Sequence, residues 1–183
     1  MTDRDRVVLV DWLDRPVGTE EKLEAHRQGR LHRAFSVLGL NAAGEMLLQR
    51  RAADKYHSGG LWSNACCSHP RPGEEVEAAA HRRLREEMGF DCPLEDVFSF
   101  VYRTELGGGL VEHEYDHVLL GRWDGAPTPA PAEVSEWKWL SPAALREALE
   151  RHPEHFTYWF RVIVRELDDR GLLPGGSQEE QVA

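Results

Sequence analysis

The segment Glu74-Glu75-Val76-Glu77-Ala78-Ala79-Ala80-His81-Arg82-Arg83-Leu84-Arg85-Glu86-Glu87-Met88-Gly89-Phe90 decides how this chain is read. Val76, Ala80, Leu84 and Met88 recur every four residues, so the spacing predicts a helix over residues 74–88 with one buried stripe, stopped by Gly89. At about 100° per residue Glu87 falls at the edge of that stripe and Arg83 one turn before it, whereas Arg82 and Glu86 fall on the opposite, solvated face. An i,i+4 surface ion pair is the plain reading of Arg83 and Glu87, and a pair facing a site is the other.

Working outward, Pro70, Pro72 and Gly73 break the chain before this helix. Residues 61–68 read as extended, which puts Cys67 and His69 on one side and Cys66 on the other. Further back, residues 34–40 and 45–49 flank a turn at 41–44 as a hairpin, and residues 7–10 are an edge strand followed by a polar turn at 14–18. The charged residues 20–28 are irregular or a short helix. Beyond the helix, residues 97–105 and 110–123 form a second hairpin through Gly107 to Gly109, and a loop at 125–132 leads to a strand at 136–140. Ser141 before Pro142 marks a helix start, with an end near His152 and Pro153. A last helix spans 157–169, stopped by Gly171, and residues 175–183 are a polar, frayed tail. This order predicts an α/β fold, a mixed sheet with helices packed on it. The chain reads as one structural domain: residues 1–29 pack on a catalytic core of 30–165, and 166–183 end the last helix and form a flexible tail.

The chain has 183 residues, and 32 acidic against 22 basic side chains leave a formal charge of −10. That balance argues against nucleic-acid or anionic-membrane partners, which need an extended basic surface; an anion should instead sit in a local basic pocket. No run approaches the roughly 18 apolar residues of a membrane span, and residues 1–6 precede no signal-peptide run, so a cytoplasmic protein is expected, and a monomer. Three cysteines, two of them adjacent, suit free thiols.

In Val111-Glu112-His113-Glu114-Tyr115-Asp116-His117, alternation puts Glu112, Glu114 and Asp116 on one face of a strand. Carboxylates roughly 7 Å apart repel one another unless solvated or bound to a cation, so the face is either exposed or a site. His26, His32 and His69 could supply nitrogen. Three imidazoles with two carboxylates would suit Mn, Zn or Mg rather than a metal that prefers thiolates.

The box from Ser68 to Phe90 resembles the Nudix pattern G-x5-E-x7-R-E-U-x-E-E-x-G-U, with the spacing complete. Ser68 stands in place of the first glycine, and Arg83 replaces the first glutamate of the RE pair. The second change removes a carboxylate that Nudix hydrolases would use on metal and adds a cation suited to phosphate. The chain as a whole, over roughly residues 7–165, resembles the type I isopentenyl-diphosphate isomerases of that superfamily. The likeness is carried by Gly18-Thr19 with Lys22 and Ala25-His26, by Leu31-His32-Arg33-Ala34-Phe35-Ser36, and by Arg50-Arg51 with Lys55. It continues through Trp62-Ser63-Asn64-Ala65-Cys66-Cys67-Ser68-His69-Pro70, Tyr102-Arg103, Glu112-His113-Glu114 and Phe156-Thr157-Tyr158-Trp159.

The resemblance implies a Nudix-like fold and an isomerase interconverting isopentenyl and dimethylallyl diphosphate. It implies Cys67 and Glu114 as the catalytic pair, with Tyr102 assisting the proton at Glu114 and Trp159 offering an aromatic face. His26, His32, His69, Glu112 and Glu114 would bind a first divalent metal, Mn2+, Zn2+ or Mg2+. Glu87, with the Cys67 carbonyl, would hold a Mg2+ that reaches the substrate diphosphate, which Lys22, Arg51, Lys55, Ser68 and Arg83 would contact. Plainer roles stand beside these: Trp159 as a core aromatic with Phe160, Ile163 and Leu167, Cys67 as a small buried thiol, and Arg51 and Lys55 as surface charges. Two other functions compete: a Nudix pyrophosphohydrolase of a nucleoside diphosphate derivative, and a non-catalytic diphosphate-binding module.

Overall fold

In the computed structural model, which describes residues 5–173, a mixed sheet is assembled around strand β3 (His32–Leu40). Apart from Arg33 its residues are buried, as expected of a strand covered on both faces. Along one edge it pairs in parallel with β8 (Leu110–Arg122), from His32↔Glu114 to Leu40↔Arg122. Three short partners share the other edge: β1 (Arg6–Val10) at His32, β6 (Cys66–Ser68) opposite Phe35 to Val37, and β4 (Met46–Arg51) at Leu40. Beyond these lie β2 (Pro16–Glu21) outside β1, β5 (Trp62–Ser63) and β9 (Val134–Leu140) on either side of β4, and β7 (Leu94–Gly107) outside β8.

Alternation along β3 divides the core. Phe35 and Val37 join Cys66 and Leu47 beneath α2 (Val76–Met88), which contributes Ala79, Ala80, Leu84 and Met88. Leu38 and Leu40 face the other way, with Val118 and Tyr102, under α3 (Pro142–Arg151) and α4 (Tyr158–Asp169), which bring Leu145, Trp159, Phe160, Ile163 and Leu167. Each large apolar side chain so buried stabilises the fold by about 1.5–3 kcal/mol. Helices on both faces of a mixed sheet make this an α/β fold, as expected. Among the described residues no helix is long and apolar enough to cross a membrane.

Several expectations need correction. The edge is β2, not β1; residues 16–21 bury little apolar surface and so carry no hydrophobic period, and the turn they follow is closed instead by Asp11, whose side chain accepts from Leu13 N and Arg15 N. The first hairpin is barely one. Strands β3 and β4 meet only at Leu40↔Met46 before β4 leaves to pair with β9, and β6 fills part of the gap. Helix α2 starts at Val76, because Glu74 is engaged elsewhere: its carboxylate accepts from Arg71 N and from the Arg82 guanidinium at 2.7 and 2.8 Å, which also draws Arg82 out of solvent. Residues 22–28 form a short helix, α1 (Lys22–Gln28), capped by the Glu21 carboxylate and ended by Gly29 at φ 60°, a left-handed turn that favours glycine. Ser141 caps α3 as expected. The tail at 175–183 lies outside the described residues.

Candidate active site

The opening left where β4 departs from β3 is lined by Lys22, Ser36, Arg51, Lys55, His57, Cys67, His69, Arg83, Glu87, Tyr102, Glu112, Glu114 and Trp159. Every residue singled out in the sequence therefore reaches this cleft or, for His26 and His32, packs against its histidine wall. The carboxylate face of β8 is buried, not exposed: Glu112, Glu114 and Asp116 all turn inward, at 4, 6 and 1% exposure.

The histidine end is fixed by backbone carbonyls. His26 Nδ1 lies 2.7 Å from Lys22 O and His32 Nδ1 2.8 Å from Arg30 O, so each ring donates from Nδ1 and turns a bare Nε2 lone pair inward. His32 Nε2 is 3.2 Å from His69 Nε2 and 3.5 Å from Glu114 Oε1, and His69 Nε2 is 2.8 Å from the same oxygen. His26 Nε2 is buried with no hydrogen-bond partner. An orphaned buried nitrogen beside two crowded ones and a carboxylate is what a divalent cation would satisfy, so the donor set fits a metal. His26, His32, His69 and Glu114 offer atoms all within 4.8 Å of one another; Glu112 is not in that set and groups instead with His26 and His57.

The electrostatics of the protein groups alone prepare the same end. Burial holds His69 down to about 3 and His57 also to about 3, leaving both imidazoles neutral. Burial also raises Glu112, and the neighbouring Glu114 charge raises it further. For Glu114, burial pulls upward, but the His32 and His69 rings against its Oε1 overcome it and hold the carboxyl well below its usual range. Tyr102 Oη stands 2.6 Å from Glu114 Oε2 and 3.3 Å from Glu112 Oε2, and its one hydrogen goes to the nearer.

Across β3, the β6 strand aims Cys67 into the cleft and Cys66 beneath α2, as parity requires. The Cys67 thiol donates to Asn64 Oδ1 at 2.9 Å and accepts from Trp159 Nε1 at 3.0 Å, with Ser36 Oγ at 3.5 Å. Burial, then the Asp116 charge, pushes it up to about 12, so the group is a thiol at neutral pH. Trp159 is both things the sequence allowed: a core aromatic and a cleft residue. Its place is set by Thr157, which spends its hydroxyl on Ser63 Oγ at 3.0 Å and its N–H on Trp62 O at 2.9 Å, clipping the start of α4 to β5. All three cysteines are free, as expected.

The far end is cationic, and two of its cations are already paired. Arg83 contacts Glu87 at 2.6 Å, Glu86 at 2.7 Å and Glu133 at 3.2 Å, and Lys55 contacts Glu133. Arg51 lies over the Trp159 ring at 5.4 Å, and Arg51 Nε and Arg83 Nε are buried without partners, so neither is an ordinary surface charge. Tyr56 and His57, which line the cleft, and Glu133, which lines the groove beside it, had escaped the sequence reading. All three lie in irregular connections, where neither period two nor period four exists to point inward.

The NUDIX domain family matches residues 30–160. An isopentenyl-diphosphate Delta-isomerase of Aromatoleum aromaticum is 49% identical over 97% of this chain and 95% of its own. One from Photorhabdus laumondii is 52% identical over 88% and 91%. Among solved structures, a Deinococcus radiodurans protein superposes with a TM-score of 0.73 at 22% identity, covering 88% of this chain and 98% of that one. A MutT protein from Methanosarcina mazei gives 0.63 at 21%, covering 77% and 95%; at such identity these two speak for the fold alone. The chain belongs to the NUDIX family. Within it, the full-length likeness at half identity places it with the isopentenyl-diphosphate isomerases, and so among enzymes. The NUDIX box carries its one charge reversal at the cleft: Arg83, half-buried on α2, bridges the box carboxylates Glu86 and Glu87 instead of adding a third.

Proposed function

We propose that this chain interconverts isopentenyl and dimethylallyl diphosphate, with Cys67 and Glu114 moving protons at opposite ends of the migrating double bond. The observation that carries the reading is their placement: β6 and β8 flank β3 on its two edges, with Cys67 opposite Ser36 and Glu114 opposite His32, and both side chains enter one cleft.

Moving the bond adds a proton to the terminal methylene and removes one from the carbon on the far side of the substituted centre. In between, that centre is cationic, so the site needs an acid, a base on the other side, an electron-rich surface and no water. Cys67 and Glu114 take the two proton roles, exchanged when the reaction runs backward. Tyr102, hydrogen-bonded to Glu114, assists the proton there, and Trp159 presents its ring to the cation while its indole N–H orients the Cys67 sulfur.

His26, His32, His69, Glu112 and Glu114 would hold a divalent ion, Mn2+, Zn2+ or Mg2+, which the neutral, inward-facing nitrogens and buried carboxylates suit. When bound, such an ion would tune the proton affinity of Glu114. Glu87 and the Cys67 carbonyl would meet the Mg2+ that accompanies the diphosphate. Lys22, Arg51, Lys55, Ser68 and Arg83, around the same cleft, would bind the diphosphate oxygens.

Incubating the protein with isopentenyl diphosphate and Mg2+ in deuterated water should place deuterium in dimethylallyl diphosphate. Phosphate release from nucleoside diphosphate derivatives, with no allylic product, would overturn the reading in favour of hydrolysis.

A further inference from the structure

The two groups of metal-competent side chains in the cleft share one residue. His26, His32, His69 and Glu114 form the first; His26, His57 and Glu112 form the second. Because His26 gives its Nδ1 hydrogen to Lys22 O, it has one lone pair left, on the orphaned Nε2, and one lone pair binds one ion. The two groups are therefore halves of a single centre rather than two centres.

We propose that His57 is a fourth imidazole ligand of this centre, entering beside Glu112 to give four nitrogen and two carboxylate donors. The inference rests on the metal-centre reading above and extends it to a residue which that reading omits. Three further observations support it. The His57 side chain is 6% exposed, and its Nε2 approaches Glu112 Oε1 to 3.5 Å. Its ring lies tilted against His26 at 6.1 Å and edge-on to Trp159 at 5.9 Å, inside the histidine wall. The loop that carries it is built under constraint: Ser58 adopts φ 51°, uncommon for a residue with a side chain, and a Cβ on Gly59 would stand 2.4 Å from Ala53 O. A loop held in such a conformation beside a ligand cluster points to function at its tip.

Six donors including four imidazoles favour Mn2+ or Zn2+ over Mg2+, which prefers oxygen and retains water. The centre should accordingly take one Zn2+ or Mn2+ per chain from solutions in which Mg2+ is in excess.

The test uses the full-length protein stripped of metal and titrated with Zn2+ against a competing chelator, with X-ray absorption counting nitrogen neighbours on the bound ion. His57→Ala should weaken Zn2+ about 10–100-fold and remove one nitrogen from the shell. His57→Gln, which keeps the volume and guards against a collapsed loop, should do the same. Unchanged affinity and nitrogen count in both, while His69→Ala loses its metal, would remove His57 from the shell and leave the centre standing. Metal retained in His69→Ala would instead bring down the centre itself. Two ions per chain would overturn the single-centre inference.

Discussion

The two ends of the cleft are assembled by opposite means. At the histidine end the donors are locked before any ligand arrives: backbone carbonyls of Lys22 and Arg30 fix two rings, and His26 Nε2 is left with nothing to bind. At the cationic end two of the charges are satisfied in advance, Arg83 by Glu86, Glu87 and Glu133, and Lys55 by Glu133. One end stores unmet demand, and the other must break contacts to work. The first arrangement suits a resident ion held through every turnover; the second suits a polyanion that comes and goes, since carboxylates that relinquish their cations on binding take them back on release.

The largest effect should come from the groups between the two ends. Cys67→Ala and Glu114→Gln should each lower kcat by about 10³-fold or more, the scale of losing a positioned acid or base, with the far-ultraviolet circular dichroism unchanged. Near-normal turnover in both would break the assignment of the chemistry to this gap. Next in size is a difference in stability. If the histidine end is built for a resident ion, then a chelated sample should melt below a metal-loaded one by about 5–10 °C, given about 2.7 kcal/mol at a hundredfold excess over Kd. His69→Ala should abolish that gap, while excess diphosphate, acting at the other end, should not replace it. Equal melting temperatures with and without metal would erase the distinction between the ends.

How much of this was legible beforehand follows the periods of the chain. The buried stripe of α2 and the inward face of β8 were readable because residues four and two apart share an environment, and the same parity separated Cys67 from Cys66. The sharing of β3 by β1, β6 and β4 was not, because a strand that is buried throughout records that it has neighbours and not which ones. His57 and Glu133 were missed for a related reason. Their positions depend on loop conformation, for His57 on a Ser58 at positive φ and a close approach at Gly59, and for Glu133 on the turn before β9, which leave no repeating signature. Of the fold, the hardest part was the hairpin that is not one, and that opening is the site.

Ser36 offers a smaller lever on the same contrast. Its hydroxyl donates to Asp116 Oδ2 at 2.8 Å and stands 3.5 Å from Cys67 Sγ, while Asp116 Oδ1 is buried without a partner. Ser36→Ala would leave both Asp116 oxygens unpartnered, at about 1–3 kcal/mol, and would remove one of the four groups around the sulfur. The expected result is a melting point lower by several degrees and a kcat reduced about three- to tenfold with KM unmoved. A change in KM without one in kcat would show Ser36 acting on substrate binding rather than on Cys67.

The smallest effect, and the one that separates the two ends most cleanly, belongs to Glu133. Its carboxylate competes with the diphosphate for Lys55 and Arg83, so Glu133→Gln should lower KM about two- to fivefold with little change in kcat. The same change should cost stability, about 0.5–1 kcal/mol, since the pair is partly exposed and discounted by solvent. The sign with pH can be worked out. Burial pulls the Glu133 carboxyl upward, but the Lys55 hydrogen bond and the Lys55 and Arg83 charges outweigh it and hold it below the ordinary 4.5. Its contribution is therefore present above about pH 4.5 and lost as the pH falls through the lowered value, so the melting points of wild type and Glu133→Gln should converge in acid. A KM that rises in Glu133→Gln would mean that this carboxylate orients the cations for the diphosphate rather than occupying them, and the cationic end would then be preorganised like the other.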